Sequence, residues 1–315
     1  MTHFKNFTEQ HIELSSGFNL LYGSNGSGKT NVLDAIHYLA LAKSHFVPQD
    51  RMAIRHGSDF FRIEGHFKSD AALNEKVVLK YQLKNKRLEW NDKQVDRIVD
   101  HIGRIGLVMI APDDLEVIDG VSGIRRRFMD ITLVQTDAEY LHQLSIYRKL
   151  LDQRNAYLKQ NVHPDPVLLQ VLNEKMNEPA RYLYQSRKAF IEEYSPYFLK
   201  YYKAISGSQE AVAIQYESDL NGSDLSQLFA KSYDHDLRIR YTSKGSHKDE
   251  LIMTINNHEV KYHASQGQKK TFLVSLFLAQ AEFMSKIMPS PPIVLLDDIF
   301  DKLDPLRMRY LMQLL

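Results

Sequence analysis

Eight residues near the start of the chain, Gly23-Ser24-Asn25-Gly26-Ser27-Gly28-Lys29-Thr30, have the types and spacing that hold a polyphosphate. Glycines at these positions let successive backbone N–H groups turn inward as an anion nest at the start of a helix. Lys29 can reach the β- and γ-phosphates, and the Thr30 hydroxyl suits a Mg²⁺ ion. The flanks agree with this P-loop reading. Phe18-Asn19-Leu20-Leu21-Tyr22 is expected to be a short strand leading into the loop, after a turn at Ser15-Ser16-Gly17 and an alternating His11-Ile12-Glu13-Leu14. Val32, Leu33, Ile36, Leu39 and Ala40 follow at helical spacing. The expected ligands are ATP and Mg²⁺.

A second group supplies what the loop lacks. Ile293-Val294-Leu295-Leu296 is an apolar run closed by Asp297 and Asp298. Such a run suits a parallel strand buried on both faces, and an α/β sheet places ligand chemistry at the strand's C-terminal end. Asp297 is expected to hold the metal, directly or through water. Asp298, with Lys29, is expected to be catalytic, polarising the water that attacks the γ-phosphate as general base or as orienter. Alone, two aspartates after a strand are as often a capped turn; a P-loop in the same chain favours the functional reading.

Ser265-Gln266-Gly267-Gln268 opens a helix carrying Phe272, Leu276, Ala279 and Phe283 on one face. The turn resembles the ABC signature, in which a Ser-x-Gly-Gln segment grips the γ-phosphate of a nucleotide held by another subunit. Physically it is a helix-end anion site with a serine donor. Taken singly, it is also what an ordinary N-cap looks like. Order separates the two readings. The turn precedes the acidic strand by about thirty residues, and Asp301-Lys302-Leu303-Asp304 follows where ABC proteins carry a loop against the partner subunit. The resemblance implies composite sites in an ATP-dependent homodimer, with Asp301 and Asp304 at its interface.

The elements that must position these groups read as α/β. The expected fold is an ABC-type P-loop ATPase head, a mixed sheet with an antiparallel subsheet, carrying an inserted α-helical arm domain. Phe61–Phe67 and Val77–Leu83 are antiparallel strands, and Val108–Ala111 is a buried one stopped by Pro112. From about Ser122 to Ser206 glycine nearly vanishes. Leu141, Leu144, Ile146, Tyr147, Leu150, Leu151 and Leu158 share a helix face, His163-Pro164-Asp165-Pro166 breaks it, and a second helix runs to Glu193. Strands resume at Val212–Tyr216 and Leu251–Ile255. The expected division is 1–117 and 207–315 for the ATPase and 118–206 for the insert, with the plainest boundary near Ile205–Ser208.

Composition bounds the class without choosing a function. The 315 residues are 43% hydrophobic and 25% charged, as in an ordinary globular protein. A net charge of +1 argues against a wholly basic nucleic-acid coat, while local patches still serve for phosphate contacts. No apolar run is long enough for a membrane span, no secretory signal opens the chain, and cysteine is absent. The expectation is a cytoplasmic protein with no membrane partner.

Beyond the ATPase motifs, several stretches are similar to the RecF family. They are Phe4-Lys5-Asn6-Phe7, Asn31–Ile36 with Ser44-His45, Ala111-Pro112-Asp113-Asp114-Leu115 with Gly123–Asp130, Gly245-Ser246-His247-Lys248-Asp249-Glu250-Leu251, and Ser265–Thr271. The resemblance implies an ATP-hydrolysing clamp that binds single- and double-stranded DNA at gap junctions. It also implies RecR and RecO as partners, RecA loading in gap repair, and a part in replication and the SOS response. Arg125, Arg126 and Arg127 either contact DNA or nucleotide or form a salt-bridged helix start. Lys269 and Lys270 face nucleotide, dimer partner or DNA, and His247 and Lys248 serve either directly or as a turn leading into a strand. Two departures stand out. Ala111 occupies the place of the transporter-type Mg²⁺-sensing Gln, and the last sheet strand with its switch residue is expected beyond Leu315. A nucleotide-gated binding module with incidental hydrolysis, or another SMC-like head, are the alternatives; the short insert disfavours the latter.

Overall fold

The computed structural model describes residues 1–68, 74–161, 164–207 and 210–298. In chain order the elements are β1 (Thr2–Phe4), β2 (Phe7–Glu9), α1 (Lys29–Leu41), β3 (Phe60–Lys68), β4 (Asn74–Gln82), β5 (Asn85–Trp90), β6 (Lys93–Gln94) and β7 (Leu107–Ile110). They continue with α2 (Glu116–Asp119), α3 (Ser122–Thr136), α4 (Ala138–Gln160), α5 (Pro166–Ser206), β8 (Val212–Glu217), α6 (Leu225–Ile239), β9 (Glu250–Ile255), β10 (His258–Glu259), α7 (Val260–His263), α8 (Gln266–Ile287) and β11 (Ile293–Leu296). The described residues form two compact units, one within 1–109 and 288–297, the other within 110–287 with Asp298.

The first unit is built on a six-stranded sheet of order β2-β1-β3-β4-β5-β6 whose paired strands all run antiparallel. Alternation along β3 turns Phe61 and Ile63 inward, opposite Tyr81 and Leu79 of β4. Helix α1 lays Ala35, Tyr38 and Leu39 on this layer, where Phe4 and Phe61 meet the Tyr38 ring edge-on. A two-stranded sheet of β7 and β11 completes the unit. Leu107, Met109 and Leu295 bring it into the same apolar core, so the strand that ends at Asp297 is fixed against the layer carrying α1.

One expectation for this unit fails. His11–Leu14 and Phe18–Tyr22 form no strand; among the described residues no strand pairs with them, and Phe18, Leu20 and Tyr22 are exposed. Alternation and β-branched or aromatic content report fitness for a pleated surface, but a ladder also needs a partner edge. The turn before Phe18 does form, with Gly17 at φ 83° and Asn19 Oδ1 accepting from the Ser15 amide at 2.9 Å.

The second unit is mainly helical, with a small antiparallel sheet of order β10-β9-β8. Helix α5 runs 41 residues, about 60 Å of helix at 1.5 Å per residue. Asp165 caps it by accepting from the Val167 amide, Pro166 takes the first helical position, and Gly207 ends it at φ 61°. The expected stop at Glu193 is overrun because Tyr194, Phe198, Tyr202 and Ile205 continue the buried stripe. Phe198 and Tyr202 pack on Phe272 of α8, and Phe190 and Tyr194 pack on Phe283. That burial outweighs the cost of Pro179 and Pro196 inside the helix.

Candidate nucleotide site and signature turn

Gly28 is the N-cap of α1, in the left-handed region at φ 101°, and caps with no side chain; the first turn contains no acid. By contrast α4, α5 and α6 are each capped by an aspartate. The positive end of α1 is therefore left to whatever anion the loop receives. Gly23 and Gly26 also lie at positive φ, 153° and 82°, and the Ser27 amide donates to Ser24 O at 3.2 Å, which closes the loop on itself. Lys29 Nζ folds over the loop to donate to Gly23 O at 3.0 Å and Ser24 O at 3.2 Å. Asn25 stands exposed at the tip.

The loop is gripped by a segment whose role the sequence did not reveal. Asn6, in the turn between β1 and β2, donates from Nδ2 to Gly26 O at 3.2 Å and accepts from Asn31 Nδ2 at 2.7 Å. Beside it the Phe7 ring lies so close that a Cβ at Gly28 would come within 2.4 Å of its Cζ atom. Lys5 fixes the turn from the other side, pairing with the buried Asp34 at 2.7 Å. The motif Phe4–Phe7 was visible as a string, but clasping the loop is a property of three-dimensional proximity.

Thr30 and Asp297 meet. Thr30 Oγ1 donates to Asp297 Oδ1 at 3.0 Å, and Asp297 is 7% exposed at the end of β11. A hydroxyl and a carboxylate, both hard oxygen donors, stand side by side at the mouth of the phosphate loop, which fits a Mg²⁺ site. Asp298, next in the chain, is exposed and lies at φ 45°. Asp301 and Asp304 lie outside the described residues.

In the second unit the signature-like turn is a reciprocal cap on α8. The Gln268 amide donates to Ser265 Oγ at 3.3 Å, and the Ser265 amide donates to Gln268 Oε1 at 2.7 Å. Because Ser265 Oγ accepts here, its own hydrogen remains for a second acceptor. Gln268 Nε2 is tied in turn to Glu210 at 2.7 Å, and Ser265 and Gln266 are exposed. Gly267 is half-buried, and its carbonyl accepts from Thr271 at 3.0 Å.

Most of the five sequence-selected cations are committed within this unit. Arg125 forks onto Glu250 at 2.6 and 2.9 Å, Arg126 donates to Asp249 O at 2.5 Å, and Lys269 is buried against Asp119 at 2.6 Å. Arg127 is exposed and Lys270 half-buried. His247 Nε2 donates to Thr242 O at 3.0 Å, so Nδ1 of the neutral ring accepts from Tyr147 Oη at 2.8 Å; burial pushes its pKa down to about 4 and holds it neutral. Beneath lies a charge cluster no motif announced. Arg187, 2% exposed, donates to Asp130 at 2.8 Å, Asp249 at 2.6 Å and the Tyr140 hydroxyl at 2.9 Å.

A glycine loop on an uncapped helix, a metal-ready hydroxyl–carboxylate pair at the end of an apolar strand and a capped Ser-x-Gly-Gln turn define an ABC-type P-loop ATPase head. Comparison with known proteins gives the particular family. The family described as RecF/RecN/SMC N terminal domain matches residues 1–315. The DNA replication and repair protein RecF of Flavobacterium johnsoniae is 42% identical over 99% of this chain and 88% of its own length. That of Porphyromonas gingivalis is 40% identical over 100% and 86%. A solved structure of the recombination mediator protein RecF with ATP, from the RecFOR pathway, superposes with a TM-score of 0.91 at 27% identity, over 99% of this chain and 87% of that one. A Smc head domain from Pyrococcus furiosus shares the fold at a TM-score of 0.51 and 15% identity, over 92% of this chain and 78% of that one. The chain belongs to the RecF family of DNA replication and repair proteins. It is an ATP-binding head, and among its described residues no helix is long and apolar enough to cross a membrane.

Proposed function

We propose that this chain is an ATP-dependent DNA-binding clamp of replication and recombinational gap repair, dimerising on ATP and hydrolysing it slowly. The observation that carries this reading is the Thr30–Asp297 hydrogen bond, because it joins the phosphate loop to the acidic strand. Thr30 and Asp297 are the residues that would hold Mg²⁺, which when bound offsets negative charge on the phosphates. The uncapped amides of α1 and Lys29 bind the phosphates, Lys29 exchanging its carbonyl partners for phosphate oxygens. Asp298 orients and polarises the attacking water. Ser265 to Gln268 of a second copy close the site, with the Ser265 hydrogen directed at the γ-phosphate and Asp301 and Asp304 at the interface. Loss of the γ-phosphate removes that bridge and opens the dimer.

In this reading residues 1–117 and 207–315 make the ATPase and 118–206 the inserted arm. The family resemblance supports cytoplasmic action on gapped single- and double-stranded DNA with RecR and RecO, RecA loading and SOS induction. Sedimentation velocity with and without ATP and gapped DNA tests the clamp. A shift from monomer to dimer on ATP alone, stabilised further by Asp298→Asn, is expected; a chain that stays monomeric with ATP and DNA overturns it. Should Asp298→Asn leave gap repair intact, hydrolysis is incidental and the nucleotide-gated binding module replaces the ATPase clamp.

A further inference from the structure

The turn linking α6 to β9 has an unusual composition for a connection. Residues 238–248, Arg-Ile-Arg-Tyr-Thr-Ser-Lys-Gly-Ser-His-Lys, contain four lysines or arginines and no acid. Lys244 is held by Asp219 at 2.9 Å, while Arg238, Arg240 and Lys248 are exposed. Among them stands Tyr241, 44% exposed, with Lys248 Nζ 5.3 Å from its ring centre and the His247 ring 6.5 Å away. Ile239, 45% exposed, adds apolar surface beside it.

What lies beneath is rigid. Asp236 and Arg154 pair at 2.9 Å, each 1% exposed. Asp236 also accepts from the Ser243 amide at 3.0 Å, and the Tyr241 amide closes on Asp236 O at 3.2 Å. Thr242 is pinned by Asn155 through both its amide, at 2.9 Å, and its hydroxyl, at 2.7 Å, and accepts from Arg154 at 2.7 Å. The neutral His247 bridges Thr242 O to Tyr147 of α4. Burying an ion pair carries a desolvation cost, and here the pair and its hydrogen bonds converge on a surface turn. The gain is a preorganised display of one aromatic ring among three cations, which saves ordering entropy when a ligand binds.

A positively charged track with an aromatic platform is the chemistry of single-stranded nucleic acid, whose bases are free to stack while its phosphates need neutralising. We propose that residues 238–248 form a single-stranded-DNA site, Tyr241 stacking on a base and Arg238, Arg240 and Lys248 taking flanking phosphates. The proposal rests on the DNA-binding reading above and assigns that binding a place. An acidic protein partner would meet the cations equally, but gains less from the exposed ring.

Fluorescence anisotropy of a dye-labelled oligo-dT of about 20 nucleotides with the full chain tests it, with ATP present throughout. Stacking is worth about 1–3 kcal/mol per base, so Tyr241→Ala is expected to weaken binding about tenfold, while Tyr241→Phe stays within about twofold. Replacing Arg238, Arg240 and Lys248 together by Gln should flatten the log–log salt dependence by about 2, at about 0.7 per phosphate contact on a single strand. Thermal melting and ATP binding serve as fold controls. If the parent chain binds oligo-dT and every variant matches it in affinity and salt slope, the site lies elsewhere and the DNA reading survives. If the parent binds neither oligo-dT nor gapped DNA, the underlying reading falls. Variants that keep DNA but lose a protein partner make the turn a protein surface and overturn the proposal.

Discussion

Thr30 Oγ1 donates to Asp297 Oδ1 across 3.0 Å, joining residues 267 positions apart in the chain. The bond exists because β11 and α1 pack into one apolar core, so its loss should be felt chemically before it is felt structurally. Asp297→Asn keeps the shape and an acceptor for Thr30 but removes the charge a divalent ion requires. Metal assistance is worth several kcal/mol, so Mg²⁺-dependent ATP turnover should fall about a hundredfold or more. Melting temperature should move little. Turnover at the parent rate in Mg²⁺ would show that Asp297 holds no metal.

Gly28 is required twice over, by its φ of 101° and by the Phe7 ring that a Cβ would strike. Gly28→Ala should cost roughly 1–3 kcal/mol locally and weaken nucleotide binding. Phe7→Ala removes the collision and leaves the backbone strain, so the double variant should recover part of the loss. A double-mutant cycle on ATP affinity measures that share. Strict additivity would mean that the ring does not confine the loop.

Arg154 and Asp236 are a buried pair whose halves are unequal in replacement. Arg154→Met fills the space but leaves Asp236 charged and unpaired, which costs about 3–5 kcal/mol. The Arg154→Met, Asp236→Leu pair should recover much of that in a thermal melt while loosening Ser243, whose amide and hydroxyl the Asp236 carboxylate also holds. Hydrogen exchange at the Ser243 amide would report the loosening. Full protection there in the double variant would place the turn's rigidity in the contacts that remain, those of Thr242 with Asn155 and His247 and the Tyr241 amide on the carbonyl of residue 236.

These charges show how far the sequence could be read. The helix α4 stripe Leu144, Tyr147, Leu151, Arg154, Leu158 steps by three and four, as do Leu183, Arg187, Phe190 and Tyr194 on α5. Both arginines fall on the buried side of that period, a place the sequence reading did not give them because their type argued for solvent; their partners come from distant elements and left no local trace. The phosphate loop and acidic strand were legible because their chemistry demands local residue types. The Asn6 clasp and the unpaired Phe18–Tyr22 were not, because each depends on which backbone lies alongside. Ser265 shows the limit most plainly, since an N-cap and a phosphate donor call for the same residue.

His247 links the turn to pH. Burial, opposed by the Thr242 carbonyl and aided by Lys248, Arg126 and Arg154, lowers it from 6.5 to about 4 in the folded chain. Between those values the unfolded chain binds more protons, so stability rises with pH across the window. The contribution is complete above about 6.5 and lost as pH falls toward 4. At 1.36 kcal/mol per pH unit it is on the order of 3 kcal/mol. His37, lowered by burial to about 4, slopes the same way, whereas Asp114, raised by burial to about 7, slopes against it. Comparing His247→Gln with the parent cancels both. Melting curves from pH 7 to 4.5 should therefore converge as the parent loses its advantage at low pH. Parallel curves would mean that His247 is as easily protonated folded as unfolded, and that burial does not hold it neutral.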